Sequence, residues 1–152
     1  MARPSKRTAR LVAVLATTLT LGLLPASAHA GTPNYAWQLF KATNHSRLGH
    51  GVHRLSLDRD ASVAAFKHTQ AMARRHELFH SSDPGTYLSG VGRWSSWGEN
   101  IGWTTGDVGD LQRAFMHSSV HRVHILDGGF RHVAIGAVKD GKKIWVTVFF
   151  YG

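Results

Sequence analysis

Two apolar runs near the C-terminus, His132 to Val138 and Lys143 to Phe150, flank Asp140-Gly141. That dipeptide is a two-residue hairpin turn signature, so the runs read as paired antiparallel strands. In the second run Ile144, Val146, Val148 and Phe150 point one way, and Trp145, Thr147, Phe149 and Tyr151 point the other. Successive strand residues alternate between faces, so both faces of this strand are largely apolar. A sheet apolar on both sides must be covered on both sides. The segments upstream are the only cover, and they read as helices. The fold class follows: α+β, a three-layer α-β-α sandwich with a small antiparallel sheet between helical layers.

The helices have their own signals. Thr32-Pro33 offers a hydroxyl N-cap followed by proline in the first turn, and the helix it starts runs to Gly49 and Gly51. Asp58 caps a second helix, in which Ala61, Ala65, His68, Met72 and Arg75-His76 recur at helical spacing. Asp83-Pro84-Gly85 is a turn. Residues 81–98 show no period and read mainly as loop. Glu99 to Trp103 is a short extended segment. Asp107 caps a third helix with the stripe Val108, Leu111, Phe115, Ser118. Ser119 caps a short fourth helix, Val120 to Leu126, ended by Gly128-Gly129.

The first thirty residues stand apart. Arg3, Lys6, Arg7 and Arg10 precede the apolar stretch Leu11 to Leu24, and Ala28-His29-Ala30 supplies small residues where a signal peptidase reads. This is the pattern of a secretory signal peptide with cleavage after Ala30. The apolar stretch is 14 residues long, short of the roughly 18 a span needs. The expectation is a signal peptide over 1–30, a single domain over 31–152, secretion, and no transmembrane anchor in the mature form. The chain has no cysteine, which excludes disulfides and anchoring through a lipidated cysteine. Of the 18 lysines and arginines four lie in residues 1–30, leaving 14 against nine acids, a net of +5 for 31–152. Those cations are scattered pairs such as Arg74-Arg75 and Lys142-Lys143. No patch or motif supports nucleic-acid binding; mild affinity for anionic envelope polymers or lipid headgroups fits the charge better.

Three local patterns carry chemistry. They are Leu78-Phe79-His80-Ser81-Ser82, Trp97-Gly98-Glu99-Asn100-Ile101-Gly102, and Phe115 through Leu126 with His121-Arg122 at its centre. With Asn44 to Arg47 before a glycine turn, this ordered set resembles the CAP superfamily of cysteine-rich secretory, antigen 5 and pathogenesis-related 1 proteins, its bacterial single-domain members in particular. The resemblance spans about residues 35–152. It implies an α-β-α sandwich with a central cleft where two histidines and one or two glutamates converge, in several members around a divalent metal. His80 and His121 match the histidines and Glu99 the glutamate. The second glutamate falls on Ser118, as in many bacterial members. Phe115 stands where the family usually has Trp, and His124 where it usually has Asn.

Two imidazoles and a carboxylate suit zinc, with water free to complete a tetrahedron. The expected ligand set is His80, Glu99 and His121, with Ser118 and Asn100 beside them in the cleft; Asn100 supports the turn of its segment. A plainer alternative is that both histidines merely hydrogen-bond Glu99. A third reading takes the cleft as a non-catalytic module for a lipid or cell-envelope ligand. A rival comes from His76-Glu77-Leu78-Phe79-His80, which spells the H-E-x-x-H of zinc proteases, with Glu99 19 residues further on. That reading needs both histidines one turn apart on a helix. It leaves His121, Arg122 and the hairpin without a role.

Overall fold

The computed structural model describes residues 34–83, 85–88 and 94–152. The expected signal segment, Thr32-Pro33 and Pro84 lie outside these. Helix α1 spans Tyr35–Gly49, strand β1 Ser56–Leu57, α2 Arg59–Arg75, α3 Gly85–Leu88, β2 Trp97–Thr104, α4 Val108–His117, α5 Ser119–Leu126, β3 His132–Asp140 and β4 Lys143–Tyr151. The strands form one sheet in the order β1-β3-β4-β2. β3, β4 and β2 are antiparallel to one another, as expected. The two residues of β1 add a parallel partner to β3.

The alternation in β4 sorts the two cores. Ile144, Val146, Val148 and Phe150 pack with Leu39, Val108, Leu111, Phe115 and Ile125 from α1, α4 and α5. Phe149 and Tyr151 pack with Ala61, Ala65, Tyr87 and Leu88 from α2 and α3, and Trp145 packs with Met72, Ala73 and Ile101. The three layers are therefore α1/α4/α5, the sheet, and α2/α3.

The α2 face of β3 carries Ala134 and Gly136 opposite Ala61 and Ala65, and small residues on both sides let helix and strand approach closely. A Cβ on Gly136 would lie 2.3 Å from the backbone oxygen of Ala65. Backbone inside a helix cannot yield as a side chain can. Gly136→Ala is expected to cost about 1–3 kcal/mol by overpacking; an unchanged urea midpoint would contradict this close approach.

Helix caps follow the chemistry with small shifts. Asn34, rather than the Thr32-Pro33 pair, caps α1, its side chain accepting from the Trp37 N–H at 2.9 Å. Asp58 accepts from the Ala61 N–H at 2.9 Å, and Asp107 and Asp110 form a reciprocal capping box on α4. The hairpin loop is Gly141-Lys142, one residue beyond the dipeptide singled out above, since Asp140 still pairs with Lys143. Gly141 takes the left-handed φ of 55°, which glycine adopts without a Cβ clash. No helix among the described residues is long and apolar enough to cross a membrane.

Candidate functional site

Strand β2 is an edge strand, and its two faces carry Glu99 and Asn100 to opposite sides of the sheet. Glu99 points to the α2 side. Its side chain is 1% exposed, and a buried carboxylate must find donors. It finds three. Oε2 accepts from His80 Nδ1 at 2.7 Å and from the Ser81 N–H at 3.0 Å, and Oε1 accepts from the Tyr87 hydroxyl at 3.0 Å. His68 Nε2 lies 3.9 Å from Oε1 but bonds the Phe79 carbonyl at 2.9 Å. Since Nδ1 of His80 donates to the carboxylate, its Nε2 carries the free lone pair. That ring is 63% exposed, so the lone pair is accessible from solvent.

Asn100 points to the other side. Its amide nitrogen donates to the His121 carbonyl at 3.0 Å, and its oxygen lies 2.9 Å from His124 Nδ1. One side chain thus ties α5 to β2 at two points, which goes beyond the local turn support expected of it. The His124 ring lies against Gly98, where a Cβ would come within 2.6 Å of Cδ2. The Gly98-Glu99-Asn100 run therefore reads physically: no side chain at 98 for the ring above it, a carboxylate at 99 for His80, an amide at 100 for α5.

His121 stands on α5 with its Nδ1 2.9 Å from Ser118 Oγ. Ser118, not Ser119, is the N-cap residue of α5, and its side chain makes no cap bond because it turns to His121 instead. Burial first, then the charges of His124 and His80, hold the His121 pKa below the usual histidine value. Burial and His80 likewise lower His124, outweighing the opposing pull of Asp127 and Glu99. The charge of a protonated His80 or His124 thus acts on His121, and that of His80 on His124.

A depressed histidine pKa means that the unfolded chain binds more protons than the folded one below about pH 6.5. Stability is full above that value and falls as pH drops through the lowered folded values. The melting temperature is expected to decline between about pH 7 and pH 5, and less steeply in His124→Asn. A flat profile in the parent chain would contradict the burial of these rings.

The structure separates the two histidines of the H-E-x-x-H run. Helix α2 ends at Arg75, and His76 takes the left-handed conformation, φ 52° and ψ 32°, as its C-cap. Residues 77–80 are not helical, so His76 and His80 share no helix face. His76 Nδ1 faces Asp140 of the hairpin at 3.6 Å instead. Glu99 sits on a strand. The protease reading is overturned on all three counts.

His68, Tyr87 and His124 belong to the site and were not among the residues expected there. His124 was legible as a departure within its motif. Tyr87 was not, since it lies on the four-residue helix α3 inside a stretch read as loop. Among the described residues, no three His, Asp or Glu side chains are gathered so that they could share one metal ion. Glu99 has both oxygens occupied by protein donors; among the described residues, His80 and His121 make their side-chain bonds through Nδ1 and none through Nε2.

Comparison with known proteins agrees with this architecture. The model of the CAP, or cysteine-rich secretory protein, family matches residues 40–150. The chain is 28% identical over 128 residues to YkwD of Bacillus subtilis (strain 168), covering 81% of this chain and 49% of that protein. It thus spans about half the length of that curated relative. The crystal structure of an extracellular SCP-domain protein from Bacillus anthracis superposes with a TM-score of 0.65 at 28% identity, over 77% of this chain and 40% of that one. A cysteine-rich secretory protein from Staphylococcus aureus gives 0.65 at 20% identity, over 80% and 39%, which shows a shared fold. The chain belongs to the CAP family of cysteine-rich secretory proteins, and it does so without a cysteine of its own.

Proposed function

We propose that this is an extracellular protein, exported through residues 1–30, whose cleft holds a divalent metal, zinc foremost, on Nε2 of His80 and Nε2 of His121. The observation that carries the reading is the 2.7 Å bond from His80 Nδ1 to the buried Glu99 carboxylate. Metal-binding histidines commonly donate their other ring nitrogen to a carboxylate or carbonyl, which fixes the tautomer and raises ligand basicity. Ser118 gives His121 a comparable orienting contact through Nδ1. The ligand set narrows from three residues to two imidazoles, with Glu99 behind one of them. A metal there would supply Lewis-acid chemistry, with positions left for water or a ligand. The chain's own part is to hold both rings, and the burial that lowers the His121 pKa favours the neutral, metal-binding form of that ring. Secretion is supported by the extracellular and secretory descriptions of its structural relatives.

Titration calorimetry with zinc tests this on the parent chain, His121→Ala and His76→Ala. One equivalent bound by the parent and by His76→Ala, and lost in His121→Ala, is the expected result. Binding retained in His121→Ala and lost in His76→Ala would overturn it. A second reading, a binding module for a lipid or cell-envelope ligand, is favoured by Val120 and Val123. These are 66% and 60% exposed, each one position before a cleft histidine. It predicts ligand binding that survives both chelation and His121→Ala.

A further inference from the structure

The Glu99 carboxylate holds His80, and something must in turn hold Glu99. Its buried oxygens are not symmetric. Oε2 takes His80 and the Ser81 N–H, while Oε1 takes the Tyr87 hydroxyl at 3.0 Å. Tyr87 is itself rigid. It is 3% exposed, its ring stacks on Phe149 at 4.5 Å and 25°, and His68 meets it edge-on at 6.0 Å. Phe149 lies opposite Glu99 on β4, so the stacked ring and the carboxylate rise from paired positions of neighbouring strands. Burial and the nearby Glu99 charge drive the Tyr87 pKa well above that of a free tyrosine, so the hydroxyl keeps its proton and remains a donor.

We infer that Tyr87 is a positioning residue for the cleft: its hydroxyl fixes the rotation of the Glu99 carboxylate, and through it the tautomer and orientation of His80. Without that donor the carboxylate keeps the Ser81 N–H but can turn about its last torsion, which is broad for a Glu side chain. The bond to His80 Nδ1 then loosens, and the exposed ring can take either tautomer. The tautomer part stands on geometry alone. The metal part rests on the reading of the cleft as a zinc site.

The test is Tyr87→Phe, which keeps the ring and its stack and removes only the hydroxyl. Long-range proton–nitrogen NMR spectra of the metal-free protein at pH 7.5 read the His80 tautomer directly. The parent is expected to show the Nδ1–H form, and Tyr87→Phe a mixture of both forms. Zinc calorimetry on the same pair is expected to show affinity about three- to tenfold weaker in the variant, at the lower end of effects seen for outer-shell partners. A role in packing alone would lower the melting temperature and leave the tautomer and zinc affinity as they were; that result overturns the inference. A tautomer shift in Tyr87→Phe with no zinc bound by the parent overturns the metal reading and the affinity part, and leaves the positioning role standing.

Discussion

Replacing Arg47 by methionine is expected to destabilise the domain by about 3–5 kcal/mol, because several carbonyls lose their donor at about 1–3 kcal/mol each where they are buried. Arg47 is fully buried, on the last turn of α1. Among the described residues, no carboxylate forms an ion pair with it. Its Nε donates to the His53 carbonyl at 2.8 Å, Nη1 to the Ile125 and Asp127 carbonyls at 2.7 and 2.9 Å, and Nη2 to the Phe130 carbonyl at 3.3 Å. Burial lowers its pKa, Asp127 opposes that fall, and Arg131 adds to it. Methionine fills similar volume but takes the donor from the His53, Ile125 and Asp127 carbonyls, while Phe130 keeps His53 Nε2 and Arg131 beside it; each buried unpaired group costs about 1–3 kcal/mol. Lysine keeps the charge but lacks the planar fork that reaches four acceptors, so Arg47→Lys is expected to recover little. Two of the acceptors sit at the end of α5, the helix that carries His121 and His124. The damage should therefore reach the cleft. Urea denaturation at pH 7 with an unchanged slope reads the loss; a change under about 1 kcal/mol would show that water or neighbouring donors replace the guanidinium.

Glu99→Gln is expected to weaken zinc binding about 10–100-fold, the usual effect of losing the partner behind a metal-binding histidine. The substitution keeps shape and hydrogen-bonding capacity but reverses one half of it. His80 Nδ1, the Ser81 N–H and the Tyr87 hydroxyl all donate to the present carboxylate. An amide offers one oxygen and one NH2 to those three donors, so at least one donor faces another. If the NH2 turns to His80, the ring must present Nδ1 as an acceptor, and its proton moves to Nε2, the atom required for the metal. If it turns to Tyr87, the hydroxyl loses its acceptor in a buried place. Folding stability should fall by about 1–3 kcal/mol either way. Calorimetry and thermal melts on the same sample separate the two effects, and full zinc affinity in Glu99→Gln would remove the carboxylate from the account.

Much of the architecture was legible because it rests on periodicity. The hairpin and its two apolar faces gave the three layers, since a strand shows its faces every second residue. Capping oxygens at Asp58 and Asp107 marked two helix starts. What escaped had too few residues to show a period: β1 has two and α3 has four. The end of α2 escaped for a different reason. His76 enters the left-handed region without a glycine to announce it, so the residue types alone left open whether the H-E-x-x-H run lay on a helix. Ser118 and Ser119 are equivalent as caps by chemistry, and only the position of His121 decides between them. His80, Glu99 and His121 were legible through their order in the chain. Tyr87 and the double tie made by Asn100 depend on which face of β2 meets which helix, and that is set by pairing with β4.

The most direct measurement is anomalous diffraction at the zinc absorption edge from crystals of the protein equilibrated with zinc. A single strong peak is expected about 2.0–2.1 Å from Nε2 of both His80 and His121, the ordinary zinc–imidazole distance, with Glu99 still bonded to His80 Nδ1. A peak between His76 and Asp140, or none in the cleft of well-ordered crystals, would contradict it.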